Sequence, residues 1–230
     1  MSPLNAAHAR AVLPRGRARG AETKKGCPTM TSFATLLSRA NSPTEYARLY
    51  VEHLTGTLRR LDCEAVGRLI ELFLETRARG GTIFLLGNGG SAATASHFAN
   101  DLGFCASPAG RTPFRALSLA SNTAFLTCLA NDIGYENVFA WQLRNLMRPG
   151  DVVVAISASG NSPNAVKALH YARENGAIPV ALVGFDGGVL KKIAAHVVHV
   201  ETEQGEYGPV EDVHMVLDHL ISTYLAAAEE

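Results

Sequence analysis

The sequence is poor in the features that mark specialised proteins. No stretch approaches the roughly 18 consecutive apolar residues needed to cross a bilayer, so no membrane span is expected. Aromatic residues are only 7% of the chain and charged residues 18%, against 47% hydrophobic, a balance that excludes a disordered, fibrous or coiled-coil protein. The four cysteines, Cys27, Cys63, Cys105 and Cys128, are far apart and never form a CxxC pair. In a chain of 230 residues, too large to need covalent staples, this pattern predicts reduced thiols and a cytoplasmic location. Net charge is also missing, with 21 basic residues against 21 acidic ones. What remains is a soluble protein of one or at most two globular domains.

The zero balance conceals an asymmetry. Residues 1–30 hold Arg10, Arg15, Arg17, Arg19, Lys24 and Lys25 against Glu22 alone, a balance of +5, which leaves −5 for the remainder. A body of that sign lacks the broad positive footprint by which nucleic acid is bound, so no nucleic-acid partner is expected. The first segment has no apolar core of the kind a secretory signal carries. Its Arg-rich, acid-poor character fits a transit peptide poorly, and a disordered tail or an upstream start better, since Met30 opens the first helical sequence. Residues 1–35 are therefore set aside as a disordered or non-native tail, and 36–230 are read as one domain.

Ser42-Pro43-Thr44-Glu45 reads as a helix start, with a capping hydroxyl, proline at the first helical position and an early acid. Asp62 caps a second helix, whose Val66, Leu69, Ile70, Phe73 and Leu74 share one face. Beyond Gly80-Gly81 the pattern changes. Short apolar runs at 82–86, 116–119, 152–156, 178–183 and 196–200 alternate with helical patterns at 91–102, 123–130, 136–147, 162–175, 188–194 and 209–227. Runs this short and rich in Val and Ile predict parallel strands buried on both faces. The alternation specifies a doubly wound α/β sandwich, with a five-stranded parallel sheet flanked by helices and preceded by N-terminal helices. Ligands of such open sheets bind beyond the carboxyl ends of the strands, which singles out the loops after the first and third.

The first loop, Gly87-Asn88-Gly89-Gly90-Ser91-Ala92, formally matches G-x-G-x-x-A. A dinucleotide site also needs an acid near the end of the next strand, and Leu117-Ser118-Leu119-Ala120-Ser121-Asn122 offers none, so no nucleotide cofactor is expected. The second loop, Ser157-Ala158-Ser159-Gly160-Asn161-Ser162-Pro163, brings three hydroxyls and successive N–H groups to a helix N-terminus, an arrangement that favours an anion. Containing no lysine, it suits a monophosphate held by neutral donors. The alternative is a capping turn in which Ser162 serves only the helix. Finally, His97 and Asp101 lie four apart on one helical face, and the last helix offers Glu211, His214, Asp218 and His219. Glu211 and His219, eight apart, fall about 80° from each other around the axis, so both can face one cleft. The plainer alternatives are a surface pair for His97 and Asp101 and a solvated face for His214 and Asp218.

Together these residues resemble the sugar isomerase (SIS) domain family, and within it the phosphoheptose isomerase branch, over about 43–225. The carriers are Gly87-Asn88-Gly89-Gly90-Ser91, His97-Phe98-Ala99, Ala130-Asn131-Asp132, Ile156 to Ser162, Phe185-Asp186-Gly187-Gly188 and the helix holding His214 to His219. The resemblance implies a homotetramer built on N-terminal helices, with active sites shared between subunits. It implies conversion of sedoheptulose 7-phosphate to glycero-manno-heptose 7-phosphate, the phosphate being held by Ser157, Ser159 and Ser162. Asn88, Gly89 and Ser91 would line the sugar site with Asp132 near it. His219 falls on the family's catalytic histidine, and His97 on one that joins a zinc site. Two positions depart from the family: Asp101 stands for a catalytic glutamate and Glu211 for a glutamine. The pair can compensate, giving His97, Asp101, Glu211 and His219 as a zinc site.

A ketose–aldose interconversion passes through an enediol and needs a base over the carbon acid and an acid near the oxygens. Asp101 is expected to abstract the proton, or Glu211 if Asp101 cannot reach, with His219 shuttling protons between oxygens. Two alternatives remain at this level. One is a SIS protein that binds a sugar phosphate without transforming it, as a regulator or initiator-associating protein; the other is an isomerase of a different phosphosugar.

Overall fold

The computed structural model describes residues 31–228. The tail expected over 1–30 lies outside the described residues. Helix α1 (Thr31–Arg39) begins within the segment set aside by sequence, and its Leu36 is buried. Two further helices follow, α2 (Pro43–Arg59) and α3 (Cys63–Ala78). Both start as the sequence predicts: Ser42 Oγ accepts the Glu45 N–H at 3.2 Å and Asp62 Oδ1 accepts the Ala65 N–H at 3.0 Å, each satisfying a donor the helix itself cannot.

The alternating region then runs β1 (Thr82–Leu86), α4 (Gly90–Gly103), β2 (Arg115–Ser118), α5 (Thr123–Ile133), a 3-10 turn (Tyr135–Asn137), α6 (Val138–Leu146), β3 (Val152–Ser157), α7 (Pro163–Glu174), β4 (Ile178–Val183), α8 (Gly188–Ile193), β5 (His196–His199) and α9 (Tyr207–Ala227). All five strands are parallel, in the order β2-β1-β3-β4-β5, with Ile83 opposite Val152 and Val154 opposite Val180.

Period-2 alternation sorts the strand residues between two cores. Ile83, Leu85, Val152, Val154, Val180 and Leu182 meet Leu69, Phe73, Phe98, Val213 and Leu217 of α3, α4 and α9. Phe84, Leu86, Val153, Ala155, Ala181 and Val183 face the other way, onto Val138, Phe139, Leu169 and Leu190 of α6, α7 and α8. Each fully buried Leu or Phe contributes about 1.5–3 kcal/mol relative to exposure. Burial on both faces holds for β1, β3 and β4. It fails at the edges, where β2 exposes Arg115 and Leu117 and β5 is largely half-buried, because an edge strand has a neighbour on one side only.

Strand order reverses at β1: the chain leaves it for β2 on one side and returns to β3 on the other. The loops after β1 and β3 consequently adjoin, forming the crevice at which open α/β sheets bind ligands.

Candidate functional site

β3 ends at Ser157, and the chain turns through Ser159 and Ser162 into α7, with Pro163 at its first position. Ser162 occupies the capping position, yet its hydroxyl makes no capping bond and lies instead 3.4 Å from Ser157 Oγ. The reading in which Ser162 serves only the helix is not met. Ser157 Oγ accepts the Gly160 N–H at 3.2 Å, and the loop is pinned from below by Leu190 N–H on the Gly160 carbonyl (2.9 Å) and Val189 N–H on Asn161 Oδ1 (3.0 Å). Over it opens a cavity of about 150 Å³ lined by Asn88, Ser91, Ser157, Ser159, Ser162, Tyr207 and Glu211. The lining contains no lysine or arginine.

The β1 loop forms the adjacent wall. Asn88 and the buried Asn164 exchange reciprocal amide bonds, 2.9 Å each way, joining the two loops, and Tyr135 donates to Asn88 Oδ1 at 2.8 Å. Gly89 precedes α4 without a side-chain cap. A Cβ built on Gly90 would overlap the Glu211 carboxylate, which therefore rests on the first turn of α4. Burial raises the Glu211 pKa, and the neighbouring Asp212 carboxylate adds to it. Asp132 does not line this cavity: it is exposed on α5, where Asn131 Nδ2 (2.8 Å) and Cys128 Sγ (3.5 Å) reach its carboxylate.

Helices α4 and α9 lie side by side in the same direction, since Glu211 meets Gly90 and His219 meets His97. Further along this seam is a second constellation. His97 Nε2 lies 3.2 Å from His219 Nε2, 3.4 Å from Asp101 Oδ2 and 4.0 Å from Asp218 Oδ2. One ligand atom from each of the four residues lies within 4.8 Å of all the others. Two imidazole nitrogens and two carboxylate oxygens form a donor set that Zn²⁺ accepts. His97, Asp101 and His219 thus meet as expected, whereas Glu211 stands at the serine-lined cavity and Asp218 takes its place.

The plainer alternative for Asp218 and His214, a solvated face, is not met: both are fully buried. The inward stripe of α9 is Val210, Val213, His214, Leu217, Asp218, Ile221, Ser222 and Leu225, a three-four repeat that packs onto α3 and α4. Burial pushes the Asp218 pKa up to about 6; Asp101 reinforces that, while the Ser222 hydroxyl, His97 and His219 work against it. Burial drives His214 down to about 4, partly offset by the Val183 backbone.

A larger hollow of about 650 Å³ lies between α1, α2 and the segment before α9, lined by Arg39, His53, Arg60 and Glu206 among others. His53 and Glu206 pair there at 2.7 Å, but the hollow is bordered by neither the serine loop nor the two-histidine cluster. Size alone does not identify the site. Asn164, Tyr135 and Tyr207 are the site residues that sequence reasoning missed; Asp218 is named there on the last helix but not placed with His97, Asp101 and His219.

The SIS domain family model matches residues 47–184. Among curated relatives, the phosphoheptose isomerase of Chlorobaculum parvum is 37% identical over 174 residues, covering 75% of this chain and 83% of the relative. That of Nitratidesulfovibrio vulgaris is 38% identical over 185 residues, covering 77% and 88%. Among solved structures, a phosphoheptose isomerase from Neisseria gonorrhoeae superposes with a TM-score of 0.73 at 29% identity, over 81% of this chain and 100% of that one.

Proposed function

The chain belongs to the SIS domain family, and from that membership we propose that it is a ketose–aldose isomerase of a phosphorylated sugar, converting sedoheptulose 7-phosphate to glycero-manno-heptose 7-phosphate. One observation carries the reading: a cavity at the strand-order reversal, roofed by three serines at an uncapped helix N-terminus and opening beside the α4–α9 seam with its two histidines and two aspartates. The residues 36–230 act as one SIS domain. Exposed Leu37 and Val51 on α1 and α2 support assembly through the N-terminal helices, as a homotetramer. Among the described residues no helix is long and apolar enough to cross a membrane, which accords with a cytoplasmic enzyme.

The substrate phosphate takes hydroxyl hydrogen bonds from Ser157, Ser159 and Ser162 and the partial positive charge of the α7 N-terminus. Asn88, Gly89, Ser91 and Glu211 meet the sugar hydroxyls next to it. His97 is seven residues beyond Gly90 on α4, on the order of 10 Å along the helix, which favours a long sugar chain with its carbonyl at the histidine end. There Asp101, half-buried and open to the seam, takes the C1 proton on a carboxylate oxygen and returns it to C2 through the enediol. His97 and His219 face the two sugar oxygens, and the exposure of both rings lets hydroxyl protons equilibrate with solvent. His97, His219 and a carboxylate would hold a Zn²⁺, which would supply polarisation of the carbonyl.

The test is NMR of sedoheptulose 7-phosphate with the purified protein in D₂O. Expected is an aldose heptose phosphate carrying deuterium at C2, abolished in Asp101→Asn. Binding of the sugar phosphate with neither product nor exchange would instead make the chain a sensor.

A further inference from the structure

We propose that Asp218 is the third protein ligand of a catalytic divalent-metal site with His97 and His219, and that this leaves Asp101 unligated and free to move the substrate proton. The metal assignment stands on geometry alone; the role of Asp101 rests on the isomerase reading above.

Asp218 has no accessible surface. Its Oδ1 accepts the Ser222 hydroxyl at 3.1 Å, but its Oδ2 has no hydrogen-bond partner and points at the cluster, 4.0 Å from His97 Nε2. A buried carboxylate oxygen without a donor is a costly arrangement that calls for a counter-charge. His97 cannot supply it by itself, because its Nε2 also faces His219 Nε2 and Asp101 Oδ2, and one ring nitrogen carries at most one proton. Two imidazole nitrogens set 3.2 Å apart are natural neighbours on one ion: tetrahedral Zn²⁺ with bonds of roughly 2.0–2.1 Å separates its ligand atoms by about 3.3 Å. Asp101 Oδ2 also faces the cluster, 3.4 Å from His97 Nε2, but Asp101 differs from Asp218 in burial. It remains partly accessible, and its Oδ1 already faces the Asn100 amide at 3.3 Å and the Cys105 thiol at 3.8 Å. Catalytic zinc sites typically take three protein ligands and keep one position open, so the buried carboxylate anchors while the accessible one works beside the open position. Glu211, on the first turn of α4, is outside this set.

Zinc affinity, measured by competition with a chromogenic chelator and without any sugar, tests the assignment. Expected is a loss of at least a hundredfold in Asp218→Asn, against less than a fivefold change in Asp101→Asn and Glu211→Gln. Thermal melts in EDTA add a readout independent of metal: Asp218→Asn melts no lower than the parent, and zinc raises the parent's Tm but not the variant's. Equal losses in Asp101→Asn and Asp218→Asn, or tight zinc binding by Asp218→Asn, overturn the proposal. If Asp218→Asn does not fold, an anomalous zinc map of the unaltered protein decides, with Asp218 Oδ2 on the ion as the expected result and Asp101 or Glu211 in its place as the refuting one. Zinc binding through Asp218 in a protein inert toward every phosphosugar would overturn the isomerase reading and leave the metal assignment standing.

Discussion

His214 makes acid stability the most direct probe of how α9 is buried. Its imidazole is fully buried, and burial lowers its pKa from 6.5 to about 4, the Val183 backbone offsetting only part of that effect. Between those two values the unfolded chain binds a proton there that the folded chain refuses, so stability falls as pH drops from 6.5 towards 4. A shift of about 2.5 units corresponds to about 3 kcal/mol, or roughly 6–12 °C in Tm for a chain of this size. Asp218 acts in the opposite sense, because its raised carboxylate pKa favours the folded state as pH falls. Comparing the parent with His214→Leu cancels that contribution, which both proteins share. In EDTA, urea unfolding at pH 7 should find the variant at least as stable as the parent. At pH 4.5 it should be about 2–3 kcal/mol more stable. An equal pH slope in both proteins would refute the argument and mean that His214 is protonated, or hydrated, inside the fold.

Two further predictions separate function from stability. Ala at position 90 improves helix propensity by up to about 1 kcal/mol but displaces the Glu211 carboxylate. Gly90→Ala should therefore melt no lower than the parent and lose about 10–100-fold in kcat/KM, the worth of one hydrogen bond to a charged group; unchanged kinetics would remove Glu211 from the sugar site. Ser162→Ala should leave Tm within a degree or two, since the hydroxyl makes no capping bond, and weaken inhibition by inorganic phosphate about tenfold. A drop in stability of about 1 kcal/mol with unchanged phosphate inhibition would restore the capping role.

The strands were legible wherever burial is complete. The runs 82–86 and 178–183 coincide with β1 and β4, and β3 is one residue longer than its run. The edge strand β2 is displaced by one residue, because it starts at the exposed, charged Arg115 and ends at Ser118, neither of which gives an apolar signal of where pairing starts and stops. In the site, the serine loop followed from its motif and the His97–Asp101 pair from spacing, whereas the meeting of that pair with His219 followed only from the resemblance to the SIS family. The solvated-face alternative for Asp218 and His214 weighed polarity above position, although His214 falls between Val210 and Leu217 and Asp218 between Met215 and Ile221, three or four residues away. Glu211 shows the limit of angular reasoning. Eight residues bring two side chains to similar azimuths but also separate them by about 12 Å along the helix. Asn164 and Tyr135 reach Asn88 across 76 and 47 residues, a closure that no local pattern encodes.

The serine loop rests on the glycine turn that opens α8. Gly160 has φ +62, and a Cβ there would overlap the Gly187 carbonyl. No side chain fits at that position without moving the anchor itself, so the serine loop is closed to gradual change. The histidine end of the α4–α9 seam is less tightly bound, since His97 and His219 are exposed and Asp101 is accessible. Change is accommodated more readily at the exposed positions of α4 and α9 beside the cluster than in residues 157–162 and 187–188, where the two loops meet backbone to backbone.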